Sequence, residues 1–313
     1  MTDVTVRHIR DDLPFGARVG GVTHAQLEDS EVRSRLVEVF EDRGLLIFEG
    51  VDPTPEMQVA ISTVFGPLKD HPSSATPRAG GQALGVIELR HEPNEGGVVQ
   101  VDGRLLSQWL PWHFDHCYND QLNRAGVLRA VEVPPDGGMT GFVDGIALYG
   151  AISPEVRDRI EGEMVIYAMD VVLDNLRFGR PEGFIEVQAS PQSVGVMAEY
   201  EHRPRAIHPA VWTRRSGEKV LHVSPWMAKG VEGRDDSEAD SLLTDVSKEI
   251  VEAAKGLSYF HRWEPTDMVI WDNWRVLHSV SGSAPEYGRC MHRTTIAGDY
   301  GLGRFEEPAA SRS

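Results

Sequence analysis

The residues best suited to chemistry lie in PWHFDHCY, residues 111–118. On an extended strand, residues i and i+2 point to the same face. His113 and Asp115 are therefore expected to project side by side, with Phe114 pointing away. An imidazole and a carboxylate that close form two legs of a chelate. A divalent metal needs at least one ligand more. Two histidines and a carboxylate on one face leave the opposite positions open, a geometry that suits iron(II) binding a cosubstrate and oxygen. An H-x-D pair alone is also common outside metal sites. His116 is a possible competing ligand, although on a regular strand it faces the other way.

The third ligand must come from elsewhere in the chain. His71, His202, His208, His222, His261, His278 and His292 are all available, and spacing alone does not choose among them. The segment after His278 favours that residue. In RCMHRTTIAGD (289–299), Arg289, Met291, Arg293 and Thr295 share one face of an alternating strand. Two guanidinium groups then enter the interior four residues apart. A buried arginine needs an anionic partner, and its fork matches a carboxylate with two parallel hydrogen bonds. Two such arginines beside a metal suggest two anions, one on a cosubstrate and one on the substrate. Ion pairing within the protein is the alternative, since the chain has 48 acidic residues. Thr140, in PPDGGMTGFVDG (134–145), is placed to donate a hydroxyl hydrogen bond to a carboxylate, but Gly-Gly-Met-Thr is also ordinary turn sequence.

These residues need elements to hold them. ARVGGV and LLIFEG (45–50) read as strands. SEVRSRLVEVFEDRG (30–44) reads as an amphipathic helix stopped at Gly44, and PTPEMQVAISTVFG (53–66) as a second with a proline at its start. From about 68 to 110 the Pro, Gly and Ser content suggests an irregular, lid-like segment. Short strands then dominate, at 127–133, 218–224, 267–272 and 289–299, interrupted by one helix at 237–256. This pattern predicts a mainly β fold with flanking helices, a sandwich or jelly roll. No strand–GxGxxG–helix unit argues for a dinucleotide fold. No linker divides the chain, so residues 1–313 are expected to form a single catalytic domain.

Composition bounds the function further. Apolar residues make up 41% of the 313-residue chain, enough for a packed core. The formal net charge of −17 repels phosphates, so neither nucleic acid nor an anionic membrane is an expected partner. The polar N-terminus lacks an apolar signal region, and two cysteines make no disulfide framework, so a cytoplasmic setting is expected.

In this order, WHFD, GGMTGF, IHPAVWTRRSGEKVLHV (207–223), WDNWRVLH and RCMHRTTIAGD resemble the taurine dioxygenase and 2,4-dichlorophenoxyacetate dioxygenase family. The resemblance runs from ARVGGV to GDYG (298–301). It implies a double-stranded β-helix, a jelly roll with helices outside. It implies iron(II) held by His113, Asp115 and His278, and 2-oxoglutarate held at its far carboxylate by Arg289 with help from Thr140. Oxygen is the second cosubstrate, and oxidative decarboxylation of 2-oxoglutarate drives hydroxylation of a small substrate. Arg293 matches a position that faces the substrate's anionic group in some members. Members that halogenate have a small residue in place of Asp115, so its presence here implies oxygenation.

Departures from the family concern the substrate. His71 matches a substrate-side histidine of the taurine enzymes, but Ser74 stands where they have tyrosine and Trp109 where they have asparagine. Trp226 and Met227 fall in a region that lines the pocket in relatives. The expected substrate is therefore not taurine but something larger and partly apolar, still anionic. Trp109 either contacts it or packs beneath the lid. The alternatives are desaturation, cyclisation or isonitrile formation with the same cofactors, and a metal-dependent hydrolase. A homodimer or homotetramer is the default assembly.

Overall fold

A computed structural model describes residues 4–70, 77–79 and 85–307 of the chain. Among these, two large sheets face each other. The first runs β1 (Thr5–His8), β2 (Ala17–Gly20), β3 (Leu45–Glu49), β16 (Met268–Asp272), β7 (Ala125–Glu132), β18 (Arg289–Ile296) and β4 (Ile87–His91). The second runs β10 (Ile185–Gln188), β5 (Val98–Val101), β6 (Arg104–His113), β17 (Val276–Ser283), β8 (Thr140–Asp144) and β15 (Ser258–His261). A smaller sheet joins β14 (Ala228–Val231), β9 (Met164–Tyr167), β11 (Ala206–Pro209) and β19 (Arg304–Phe305), and β12 (Val211–Thr213) pairs with β13 (Lys219–Leu221).

Strands β3 and β16 are apolar on both faces because both faces are covered. Leu46, Phe48, Met268 and Ile270 face helices α2 (Ser30–Arg43) and α3 (Pro55–Phe65), which follow the short α1 (His24–Leu27). Leu45, Ile47, Val269 and Trp271 face the interior, where they meet Phe142 and Val276 of the second sheet. The outer face of the second sheet packs on α7 (Ser237–Leu257) through Leu242, Leu243, Val246 and Ile250, with Val143 and Leu277 in the same cluster. Helices α4 (Gly145–Ala151), α5 (Pro154–Ile160) and α6 (Pro191–Tyr200) complete the outer layer. The architecture is the expected jelly roll with helices outside. Gly44 ends α2 in the left-handed region, φ 69°, as its place in the sequence implies.

The lid-like reading of 68–110 needs correction from residue 87 onward; residues 71–76 and 80–84 lie outside the described residues. Residues 87–91, 98–101 and 104–113 form β4, β5 and β6, and β6 lies at the centre of the site. Pro93, Gly96, Gly97 and Gly103 fall in the connections between these strands. Val101 pairs with Arg104 around Asp102 and Gly103, both with positive φ, so this Asp-Gly closes a two-residue hairpin. The strand expected at 218–224 shortens to Lys219–Leu221. Cys117 and Cys290 are free and buried. Among the described residues no helix is long and apolar enough to cross a membrane.

Candidate metal and carboxylate site

Strands β6 and β17 set the first two metal-ligating groups. His113 pairs directly with His278 across the antiparallel ladder, and their rings lie 4.1 Å apart. β6 ends at His113, so Asp115 is not on the regular strand that alternation predicts. The chain turns instead, with His116 in the left-handed region at φ 59° and the Asn119 N–H donating to the His116 carbonyl at 2.9 Å. Asn273 fixes the turn. Its Oδ1 accepts from the Asp115 N–H at 2.8 Å, and its Nδ2 donates to the Asp115 carbonyl at 3.0 Å and to Asn123 Oδ1 at 3.0 Å. Asp115 Oδ1 consequently lies 3.7 Å from His278 Nε2. One ligand atom from each of His113, Asp115 and His278 lies within 4.8 Å of the others.

The donors fit a divalent metal. Pro111's carbonyl can only accept, so the 2.8 Å contact puts the proton on His113 Nδ1 and leaves the Nε2 lone pair free. His278 Nδ1 is buried without a partner among the described residues. Burial pushes both imidazoles below their ordinary pKa, so both are neutral donors. Burial alone would raise the Asp115 carboxyl, but the Arg293 guanidinium together with the His278, His116 and His113 rings outweighs it and holds the group well below the usual carboxylate range. Two nitrogens and one anionic oxygen, largely dry, match a first-row metal that keeps open positions. Phe114 points away and stacks on His222 at 3.8 Å.

The two arginines of β18 approach from the facing sheet, and they differ. Arg293 was expected to meet a substrate anion. In this structure its Nη1 and Nη2 lie on the two oxygens of Asp115, at 3.0 and 2.8 Å. Its Nε alone is left without a partner among the described residues. Gly126 leaves room for this arrangement, since a Cβ there would meet the Trp271 ring at 2.8 Å and Arg293 Nε at 3.3 Å. Arg289 has no carboxylate partner among the described residues. Its Nη1 donates to Gln108 Oε1 at 3.1 Å, its Nε has no partner there, and burial pushes its pKa down to about 10. Thr140 is buried, and its Oγ1 accepts from Trp263 Nε1 at 3.2 Å.

The expected substrate-side residues separate. Trp226 sits edge-on against His113, 4.9 Å between ring centres. Met227 turns into the main apolar cluster, with its sulfur 3.8 Å from Cys117 Sγ. Trp109 packs on Phe184 at 5.4 Å in a separate small cluster. His71 and Ser74 lie outside the described residues. Other histidines have structural partners. His208 Nε2 reaches the carbonyls of Cys117 and Asn119, and His222 Nε2 that of Asn273. His261 lies 3.4 Å from Asp267. Glu88, Cys290 and His292 also cluster. There, however, Arg129 donates to His292 Nδ1 at 2.7 Å, which puts the proton on Nε2, facing Glu88 at 3.6 Å. No ring lone pair is left for a metal.

Gln108 has no sequence signal beyond residue type, and Asn273 lies in the WDNW segment, which by itself gives it no role. Arg275, in the position after WDNW, makes a buried two-point ion pair with Asp144 at 2.9 and 2.8 Å, which ties the β16–β17 turn to the end of β8.

The sequence pattern of the family described as "Taurine catabolism dioxygenase TauD, TfdA family" matches residues 5–295. Among curated proteins, pentalenolactone F synthase from Streptomyces arenae is 28% identical over 95% of this chain and 98% of its own length. The (S)-phenoxypropionate/alpha-ketoglutarate-dioxygenase of Sphingobium herbicidovorans is 26% identical over 92% and 93%. Among solved structures, AAD-2 in complex with Mn(II) and N-oxalylglycine superposes with a TM-score of 0.69 at 20% identity, covering 95% of this chain and 98% of that one.

Proposed function

The chain belongs to the taurine catabolism dioxygenase TauD, TfdA family, and on that premise we propose that it is an iron(II)- and 2-oxoglutarate-dependent dioxygenase whose metal ligands are His113, Asp115 and His278. The observation that carries this reading is Arg289. It is a buried guanidinium with no carboxylate partner among the described residues, four residues along β18 from the arginine that grips Asp115. An uncompensated buried cation is costly, and the far carboxylate of 2-oxoglutarate is the anion that removes the cost. Thr140 assists from β8.

Bound iron(II) supplies the redox chemistry that couples oxygen to the 2-oxo acid. The chain's own residues position and exclude. His113 and His278 offer neutral nitrogens. Asp115 offers a carboxylate that Arg293 keeps ionised and Asn273 keeps in place. Trp226 packs against the His113 ring. Retention of a carboxylate at position 115 supports oxygenation over halogenation.

The substrate is a small, partly apolar organic compound other than taurine. The relative acting on (S)-phenoxypropionate supports an aryl acid of that kind. Arg293, paired with Asp115, and Trp226, packed against His113, are the substrate-side candidates that touch metal-ligating residues. A second reading, desaturation or cyclisation with the same cofactors, is kept open because one relative is named a synthase rather than a dioxygenase. Incubation with iron(II), oxygen, 2-oxoglutarate and a panel of aryl and alkyl acids tests both. Equimolar succinate and a product heavier by one oxygen support hydroxylation, while a product lighter by two hydrogens supports the second reading. Conversion without consumption of 2-oxoglutarate contradicts both and fits a hydrolase.

A further inference from the structure

We propose that Gln108 is a positioning residue for the cosubstrate: its side-chain amide aims the Arg289 guanidinium at the far carboxylate of the 2-oxo acid. The proposal rests on the reading of Arg289 given above. Gln108 lies within β6, yet its φ is 55°, in the left-handed region that disfavours residues with a Cβ. Strain of this kind persists only where the surrounding structure enforces it.

The partner strand is deformed at the same place. Trp109 pairs with Ser281 and Ser107 with Ser283, which leaves Gln108 opposite Gly282, itself at φ 70°. A Cβ on Gly282 would lie 3.0 Å from Leu106 Cβ and 3.1 Å from the Ser107 carbonyl. Both strands of the pair therefore bend at one register position, and what the bend delivers is the contact from Arg289 Nη1 to Gln108 Oε1 at 3.1 Å.

The chemistry of that contact is selective. A neutral amide oxygen orients a guanidinium without neutralising it. A carboxylate would neutralise it, and an apolar side chain would not orient it. Arg289 keeps its charge and, among the described residues, an unpartnered Nε. Beside Gln108, the hydroxyls of Ser107 and Ser283 are buried, paired across the ladder, and without a hydrogen-bond partner among the described residues. The Gly137–Gly138 turn joins them to Arg289. A Cβ on Gly137 would be 3.1 Å from Ser283 Cα, and one on Gly138 3.5 Å from Arg289 Cδ. An aimed, uncompensated cation thus lies near two residues whose buried hydroxyls have no partner among the described residues. Buried polar groups left open in this way mark a site for a polar ligand, here an anion.

The test uses manganese(II)-loaded protein, 2-oxoglutarate titrated by calorimetry, and thermal melts without cosubstrate. Gln108→Gly relieves the left-handed strain, so its melting temperature is expected to hold or rise while 2-oxoglutarate binds about tenfold more weakly or worse. Gln108→Glu gives Arg289 an internal carboxylate, so it too weakens 2-oxoglutarate by at least about tenfold, with manganese affinity unchanged. Either variant binding 2-oxoglutarate within about twofold of the unmodified protein overturns the proposal. So does a Gln108→Gly protein that loses stability and affinity together, the mark of a merely structural residue. Arg289→Ala separates the two claims. If it abolishes binding while the Gln108 variants do not, only the role of Gln108 falls. If it too binds normally, the reading of Arg289 falls with it.

Discussion

Asp115 is held at both ends. Asn273 bonds its peptide N–H and carbonyl, and Arg293 bonds both carboxylate oxygens. Partners of this kind set the orientation and charge of a metal ligand. Asn273→Ala is therefore expected to weaken metal binding by roughly 10–100-fold, read by competition with a chromophoric chelator. Unchanged affinity would mean that the turn holds itself. At this scale the sequence was partly legible. His113 and Asp115 are apparent from their spacing, and His278 from the segments around it. Asn273 and Gln108 are not, because their roles depend on contacts between distant stretches: Asn273 meets Asp115 across 158 residues of chain. Arg293 shows the limit of periodicity. Alternation correctly aims it inward, but which carboxylate it meets is settled by packing.

The elements that bring these residues together divide into scaffold and site. α7 is scaffold. Leu243 is fully buried in its apolar face against the second sheet. Leu243→Ala should cost about 2–5 kcal/mol in denaturant unfolding while leaving metal affinity intact. A loss of metal binding at full stability would place α7 in the site instead. β6 is site. Its register shifts between His113 and Leu110, and this bulge re-aims the strand where the ligands begin. The long helices were legible because their apolar stripes are continuous and capped, as Asp236 caps α7. β4, β5 and β6 were obscured because Pro93, Gly96, Gly97 and Gly103 in their turns outweigh four-residue runs such as VVQV in composition. The Asp102-Gly103 hairpin was the signal that marked them.

The whole molecule carries a formal charge of −17, and its buried histidines add an acid response of their own. Burial pushes His208 down to about 4 and His222 to about 3, against an unfolded value of 6.5. The unfolded chain then binds more protons than the folded one below pH 6.5, so stability is fully present above that value. It falls as pH drops toward 4 and then 3, by at most about 1.4 kcal/mol per pH unit for each histidine. Melting temperature should therefore decline between pH 6.5 and 4, and His222→Gln, which retains a donor for the Asn273 carbonyl, should flatten the decline. An identical slope in the variant would remove His222 from the account. The central claim is that His113, Asp115 and His278 hold iron(II) on which 2-oxoglutarate binds. Anaerobic titration of the protein with iron(II) and then 2-oxoglutarate tests it most directly. The predicted result is a visible charge-transfer band that saturates with 2-oxoglutarate and is lost in His278→Ala. Iron binding without that band, or a band that survives His278→Ala, would contradict it.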